Sequence, residues 1–302
     1  MRAIFFGMPG AFSLAALDAL LAAGRQVDAV VVPARRDAPF ALRRADAPAP
    51  AGTIPLAGPG RAADIVARAW ERGLPVLELA RERAAEAREG LAALRPDVVC
   101  VACWPRRIPA ELLALPPLGF LNVHPSLLPA FRGPEPLFWI FRSGAPAGVT
   151  VHFMDEGLDS GPIAAQEPVE LPDGISGPEA EARCAGVGGR LLAEALRRLE
   201  AGALERRPQP PGGSAYGPPG PDDFTLDTGW PARRAFNFMR GTAEWGEPYP
   251  VVAGGERLLL IEALAFDPAA ELGAPAVRSG EIARVQFAPG VLTALAAKAP
   301  AG

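Results

Sequence analysis

The first 32 residues decide what kind of fold this chain can adopt. Arg2–Gly7 is an apolar run too short for a helix and closed by glycine, so it reads as a buried strand. Met8-Pro9-Gly10 is a turn. Ser13 is positioned to cap a helix to about Ala23, with Leu14, Leu17, Leu20 and Leu21 at helical spacing and Gly24 as the stop. Val27–Val32 is a second buried strand. Strand, helix and strand at this spacing require a parallel pair joined by a right-handed crossover. The first turn lacks G-x-G-x-x-G, so a dinucleotide is not indicated.

The alternation continues. Ala62–Arg72, Ala80–Leu94, Ala110–Leu115 and Pro134–Ser143 read as helices, and so does Glu179–Leu199, capped by Ser176. Pro75–Leu79, Asp97–Cys103, Leu118–His124, Gly148–Met154 and Ile163–Val169 read as strands. The expected fold class is α/β: a Rossmann-like open, mostly parallel sheet with flanking helices over residues 1–205. Pro33–Gly60 interrupts it as a long loop carrying Arg35, Arg36, Arg43 and Arg44, either solvated or gripping a substrate. Pro208–Pro221 has ten Pro or Gly in fourteen residues and reads as a linker or extended strap, within a linker region set at 206–221. Beyond it, residues 222–302 combine a helix at Trp230–Gly241 with short strand candidates at Tyr249–Val252, Arg257–Ala263, Val277–Ser279, Glu281–Phe287 and Val291–Ala296. That suits a small β-rich, barrel-like domain.

Chemistry-bearing residues gather at two places. Asn122 and His124 stand two apart at the end of an apolar run, so on a strand they share a face. Pro125 and Pro129 end the strand. Asp159 sits in a glycine-bracketed turn after the next strand. Amide, imidazole and carboxylate meeting at strand ends can run acid–base chemistry. The bland alternative is a packed histidine, a turn asparagine and a turn aspartate.

The two strings around them, N-x-H-x-S-L-L-P-x-x-R-G from Asn122 and G-V-T-x-H-x-x-D-x-G-x-D-x-G-P-I from Gly148, resemble the signature of the folate-dependent formyltransferases. That family includes methionyl-tRNA, sugar-amine and glycinamide ribonucleotide formyltransferases. The resemblance implies transfer of a formyl group from 10-formyltetrahydrofolate to an amine, with Asn122, His124 and Asp159 catalytic. It implies that Arg107 and Ile108, with Asp155, Glu156 and Gly157, bind the folate. Ser126, Arg132 and His152 become candidates for the acceptor side. No metal is implied. Ser160 stands where threonine is usual, and Pro134-Glu135-Pro136 replaces smaller residues. The expected mechanism gives the formyl oxygen a donor in Asn122. His124 moves the proton, and Asp159 raises the histidine's pKa. A Ser126–His124 nucleophilic pair is disfavoured, because neighbours on one strand seldom converge.

Charge bears on the acceptor. Formal net charge is −4, so no global basic field recruits nucleic acid. From Asp222 onward seven basic residues face ten acidic ones, whereas a tRNA-gripping domain is expected to be basic. A small-molecule amine, an amino sugar or an amino-acid-like compound, is therefore ranked slightly above tRNA. Methionyl-tRNA formylation stays as the alternative, kept alive by the arginines of Pro33–Gly60. A formyltetrahydrofolate hydrolase and a non-catalytic folate-binding protein are further alternatives. The first strand starting at Met1 counts against the hydrolase, which usually carries a preceding domain.

Cys100, Cys103 and Cys184 form no disulfide framework, which points to a reducing compartment. Cys100-x-x-Cys103 lies on a strand and is not expected to bind metal or cycle redox states. No apolar run reaches a membrane span or a signal peptide, so a cytoplasmic location is expected.

Overall fold

The computed structural model describes residues 1–47, 64–80 and 83–297. The chain forms two compact units whose segments interleave in sequence. One comprises Met1–Arg132, Gly148–Val169 and Ala182–Ser214; the other comprises Gly133–Ala147, Glu170–Glu181 and Ala215–Gly302.

The first unit is built on an eight-stranded sheet. Its strands are β1 (Ala3–Gly7), β2 (Val27–Pro33), β3 (Leu42–Ala45), β4 (Val76–Leu79), β5 (Val98–Ala102), β6 (Phe120–His124), β7 (Ala147–Phe153) and β8 (Ile163–Val169), in the order β3-β4-β2-β1-β5-β6-β7-β8. The strands from β4 to β6 along that order pair in parallel, while β3 pairs antiparallel with β4 and β7 antiparallel with β6. This is the expected open, mostly parallel sheet. β1 and β5 are buried along their whole length, which is why they read as unbroken apolar runs.

Helices α1 (Ala11–Ala22), α2 (Ile65–Glu71), α3 (Arg88–Ala92) and α4 (Ala110–Leu113) connect these strands. Three details differ from expectation. Ser13 does not cap α1: the helix starts two residues earlier, and the Ser13 hydroxyl instead donates to the Ala102 carbonyl at 2.9 Å. The buried hydroxyl finds its acceptor at the end of β5 rather than in its own first turn. Ala80–Leu94 is not one helix but a 3-10 turn at Ala85–Ala87 followed by the short α3. The segment after β2 is not all loop either. β3 adds to the sheet edge and pairs Arg43 with Glu78, an ion pair that occupies one of the four arginines. The rest of Pro33–Gly60, from residue 48, lies outside the described residues.

The second unit holds α5 (Pro136–Ser143), α7 (Ala232–Gly241) and a five-stranded antiparallel sheet. The long helix α6 (Gly177–Glu200) begins among its residues; there Ser176 caps as expected, its Oγ accepting from the Glu179 N–H while its backbone N–H donates to the Glu179 carboxylate. The sheet comprises β9 (Tyr249–Ala253), β10 (Glu256–Asp267), β11 (Ala276–Ser279), β12 (Ile282–Gln286) and β13 (Val291–Ala296), in the order β11-β12-β13-β10-β9. It is β-rich as expected, an open half-barrel with β11 and β9 at its edges. Its core is aromatic: Phe138 packs edge-on against Phe224 and Phe238, and Tyr249 lies against both of those rings.

Among the described residues no helix is long and apolar enough to cross a membrane.

Candidate active site

β6 and β7 place the site. Their antiparallel register sets Asn122 opposite His152 and His124 opposite Thr150, so the four side chains share one face. The Asn122 amide nitrogen lies 3.2 Å from His152 Nε2. The other ring nitrogen of His152, Nδ1, is 3.0 Å from the Phe153 carbonyl oxygen, which can only accept. His152 therefore carries its proton on Nδ1, and its Nε2 accepts from Asn122. One N–H of the Asn122 amide remains for another acceptor.

His124 is fixed in the same way. Its Nε2 lies 2.8 Å from the Phe131 carbonyl oxygen, so the proton sits on Nε2 and Nδ1 presents a lone pair. Nδ1 faces Asp159 Oδ2 at 3.7 Å, while Asp159 Oδ1 lies 3.5 Å from His152 Nε2. The two imidazoles stand perpendicular, 6.4 Å apart, with the carboxylate approaching both. The three residues expected from sequence to be catalytic are thus brought together, with His152, expected on the acceptor side, beside them.

Asp159 raises the pKa of His124, as expected, but it is not the largest influence on that ring. His124 is 5% exposed, and burial lowers its pKa from the ordinary 6.5; Asp159 and the Phe131 carbonyl oppose that shift without reversing it. Sequence showed the carboxylate but not the depth of burial, and desolvation of the imidazolium outweighs the nearby charge.

A buried polar lattice holds the turn after β6. The Thr150 hydroxyl donates to the Ser126 carbonyl and accepts from the Leu128 N–H and from Gln166 Nε2. The Ser126 hydroxyl is spent on the Ala130 carbonyl at 2.7 Å, inside the turn. Arg132 directs Nε and Nη2 at the side-chain oxygen of Gln209. The β7–β8 turn has its own bracing, in which Asp155 accepts from the Gly157 N–H and the Ser160 hydroxyl. Glu156 and Gly157 are exposed there. Gly161 is where only glycine fits: a Cβ would lie 1.9 Å from the Phe153 carbonyl oxygen.

Arg107 and Ile108 line a cavity of about 120 Å³ with Pro33, Arg36, Leu79 and Trp104. It opens beyond the carboxyl ends of β2, β4 and β5, where open α/β sheets bind ligands. Cys100 is fully buried in β5, with its thiol pushed up to about 12 by burial, so it is not a poised nucleophile. Among the described residues no cluster of histidine, cysteine or carboxylate side chains is arranged to hold a metal ion.

Residues 1–196 match the family described as Formyl transferase. This chain belongs to the formyl transferase family. It is 38% identical over 286 residues to the methionyl-tRNA formyltransferase of Anaeromyxobacter dehalogenans, covering 93% of this chain and 84% of that protein. Among solved structures, a glycinamide ribonucleotide transformylase from Symbiobacterium toebii superposes with a TM-score of 0.54 at 26% identity, over 69% of this chain and 93% of that one. An N-formyltransferase from Helicobacter canadensis, solved with folinic acid and dTDP-3-aminofucose, shares the fold over 98% of this chain and 99% of its own, with a TM-score of 0.64 at 14% identity. The enzyme class expected from the paired motifs, a folate-dependent formyltransferase, stands.

Sequence reasoning missed two residues around this formyltransferase's site. Phe131 contributes a backbone carbonyl, which leaves no mark in side-chain pattern. Gln209 lies in a Pro/Gly-rich segment without periodicity, and its nearness to Arg132 arises only in the fold.

Proposed function

We propose that this formyltransferase moves the formyl group of 10-formyltetrahydrofolate to the primary amine of a small molecule, an amino sugar or amino-acid-like compound, in the cytoplasm. The observation that supports formyl transfer most strongly is the arrangement of Asn122, His152, Asp159 and His124. The cavity beside Trp104, Arg107 and Ile108 suits a flat heteroaromatic ring, with apolar walls and guanidinium groups for an anionic tail. The folate supplies an activated formyl group, and the protein handles proton and charge. The remaining N–H of the Asn122 amide donates to the formyl oxygen as negative charge develops. His124 is neutral at rest, with its Nδ1 lone pair turned toward Asp159, and accepts the proton that the amine sheds. The imidazolium so formed is held at both ends, by the Phe131 carbonyl and by the Asp159 carboxylate, and it returns the proton to the folate nitrogen as the bond from that nitrogen to the formyl carbon breaks.

For the acceptor, the second unit carries the supporting observation. Glu135 directly precedes α5, and burial together with Glu181 and Glu244 raises its pKa. The Glu244 carboxyl is raised by burial and by Glu181. Carboxylates that already repel one another disfavour a polyanion such as tRNA. The second reading is methionyl-tRNA formylation, favoured by the 38% identical relative of that name. The test is formylation of charged initiator tRNA across a salt series, beside nucleotide-linked amino sugars and amino acids. Turnover of a small amine with inert tRNA supports the proposal. Efficient tRNA formylation that falls steeply with salt replaces it with the second reading.

A further inference from the structure

We infer that Gln209 is a positioning residue for His124: its side-chain amide clamps together the two loops that face the two nitrogens of that ring. The inference rests on the formyl-transfer role of His124 proposed above. The first loop, residues 125–132, offers the Phe131 carbonyl to Nε2, and the second, residues 154–162, offers Asp159 to Nδ1. Gln209 Oε1 accepts from Arg132 Nε at 3.1 Å and Nη2 at 2.7 Å, one residue beyond Phe131. Its Nε2 donates to the backbone carbonyls of Asp159 at 2.7 Å and Gly161 at 2.9 Å. The amide's two donors and its acceptor are all committed, each set to a different loop.

Both loops need such a restraint. Phe131 and Asp159 hold φ of 58° and 48°, in the left-handed region that a residue with a side chain occupies only when its surroundings enforce it. The strap carrying Gln209 is docked across the same two loops. Arg207 exchanges backbone hydrogen bonds with Ile163 at 2.7 and 3.0 Å. The Ser214 N–H donates to the Pro129 carbonyl, its carbonyl accepts from the Arg132 N–H, and its hydroxyl accepts from the Phe131 N–H. Gly213, at φ 90°, lies so close that a Cβ would stand 2.1 Å from the Pro129 carbonyl oxygen. The strap thus fits the loop pair closely, with Gln209 at the point where they meet. Displacing a catalytic group by about 1 Å costs on the order of 10²-fold in rate, so a clamp of this kind is felt in turnover rather than in affinity.

The test uses the full chain labelled with ¹⁵N-histidine. The protein has two histidines, so His152→Gln assigns both rings. The groups facing His124 are Asp159, His152 and the Phe131 carbonyl, and none of them is itself substituted in Gln209→Leu or Gln209→Glu. In the wild type the Nε2–H tautomer of His124 is expected at neutral pH. In both variants we expect a mixture of tautomers and a kcat about 10–100-fold lower, with affinity for the folate changed less than twofold. Gln209→Glu keeps an acceptor for Arg132 while losing both donors, so it carries the test where the leucine variant does not fold. An unchanged His124 tautomer in a folded variant, or a loss confined to folate affinity, overturns the inference. The tautomer measurement needs no turnover. A wild type that formylates no amine therefore counts against the proposed function and leaves Gln209 to be judged on the spectra.

Discussion

The Asp159 carboxylate lies 3.7 Å from Nδ1 of His124, the ring nitrogen that the Phe131 carbonyl leaves without a proton. A lone pair facing a carboxylate across that gap is a poor resting contact and a good one once Nδ1 gains a proton. His124→Ala and Asp159→Ala are each expected to lower kcat by about 10²–10⁴-fold, as for loss of an acid–base group. Steady-state kinetics on variants with unchanged circular dichroism checks this. A folded variant with near-native kcat would remove that residue from the proton path.

Asn122→Ala is expected to cost about 10²–10³-fold in kcat, as for loss of an oxyanion donor. His152→Phe keeps the ring volume but removes the acceptor that orients the Asn122 amide. Its kcat is expected to fall by about 10-fold, with the KM of the folate little changed. Equal losses in Asn122→Ala and in the Asn122→Ala, His152→Phe double variant would mean that His152 acts only through Asn122.

Burial places the His124 pKa below 6.5 in the folded state. The unfolded chain then binds more protons between the two values, so stability rises with pH through that window. The contribution is fully present above about 6.5 and is lost as pH falls toward the folded value. Thermal melts from pH 4 to 8 are expected to show a shallower acid slope for His124→Gln than for the wild type. Parallel slopes would show that other groups carry the acid sensitivity.

Thr150 is fully buried and serves Ser126, Leu128 and Gln166 through one hydroxyl. Thr150→Val keeps the shape and strands those partners, at an expected cost of about 1–3 kcal/mol. Chemical denaturation measures it, and a loss below about 0.5 kcal/mol would show the turn to be held by other bonds.

Much of this was legible in the sequence, for physical reasons that differ by element. The unbroken apolar runs of β1 and β5 announced buried parallel strands, because residues on both their faces are buried. The i, i+2 spacing of Asn122 and His124 announced their shared face, because strand geometry allows nothing else. Ser13 misled because a buried hydroxyl can be satisfied across to β5 as well as in its own helix. The direction of the His124 pKa was hidden because sequence gives neighbours along the chain and not burial. Gln209 was hidden because a proline-rich strap has no period, and its partners Arg132 and Asp159 stand 77 and 50 residues away.

The central claim is that these residues transfer a formyl group to an amine rather than to water. The most direct measurement follows consumption of 10-formyltetrahydrofolate by the full chain, with and without a panel of primary amines, beside His124→Ala. Amine-dependent consumption with a matching N-formyl product, reduced at least about 10²-fold in the variant, is the expected result. Equal consumption with and without amine, or turnover that survives in His124→Ala, would contradict the account.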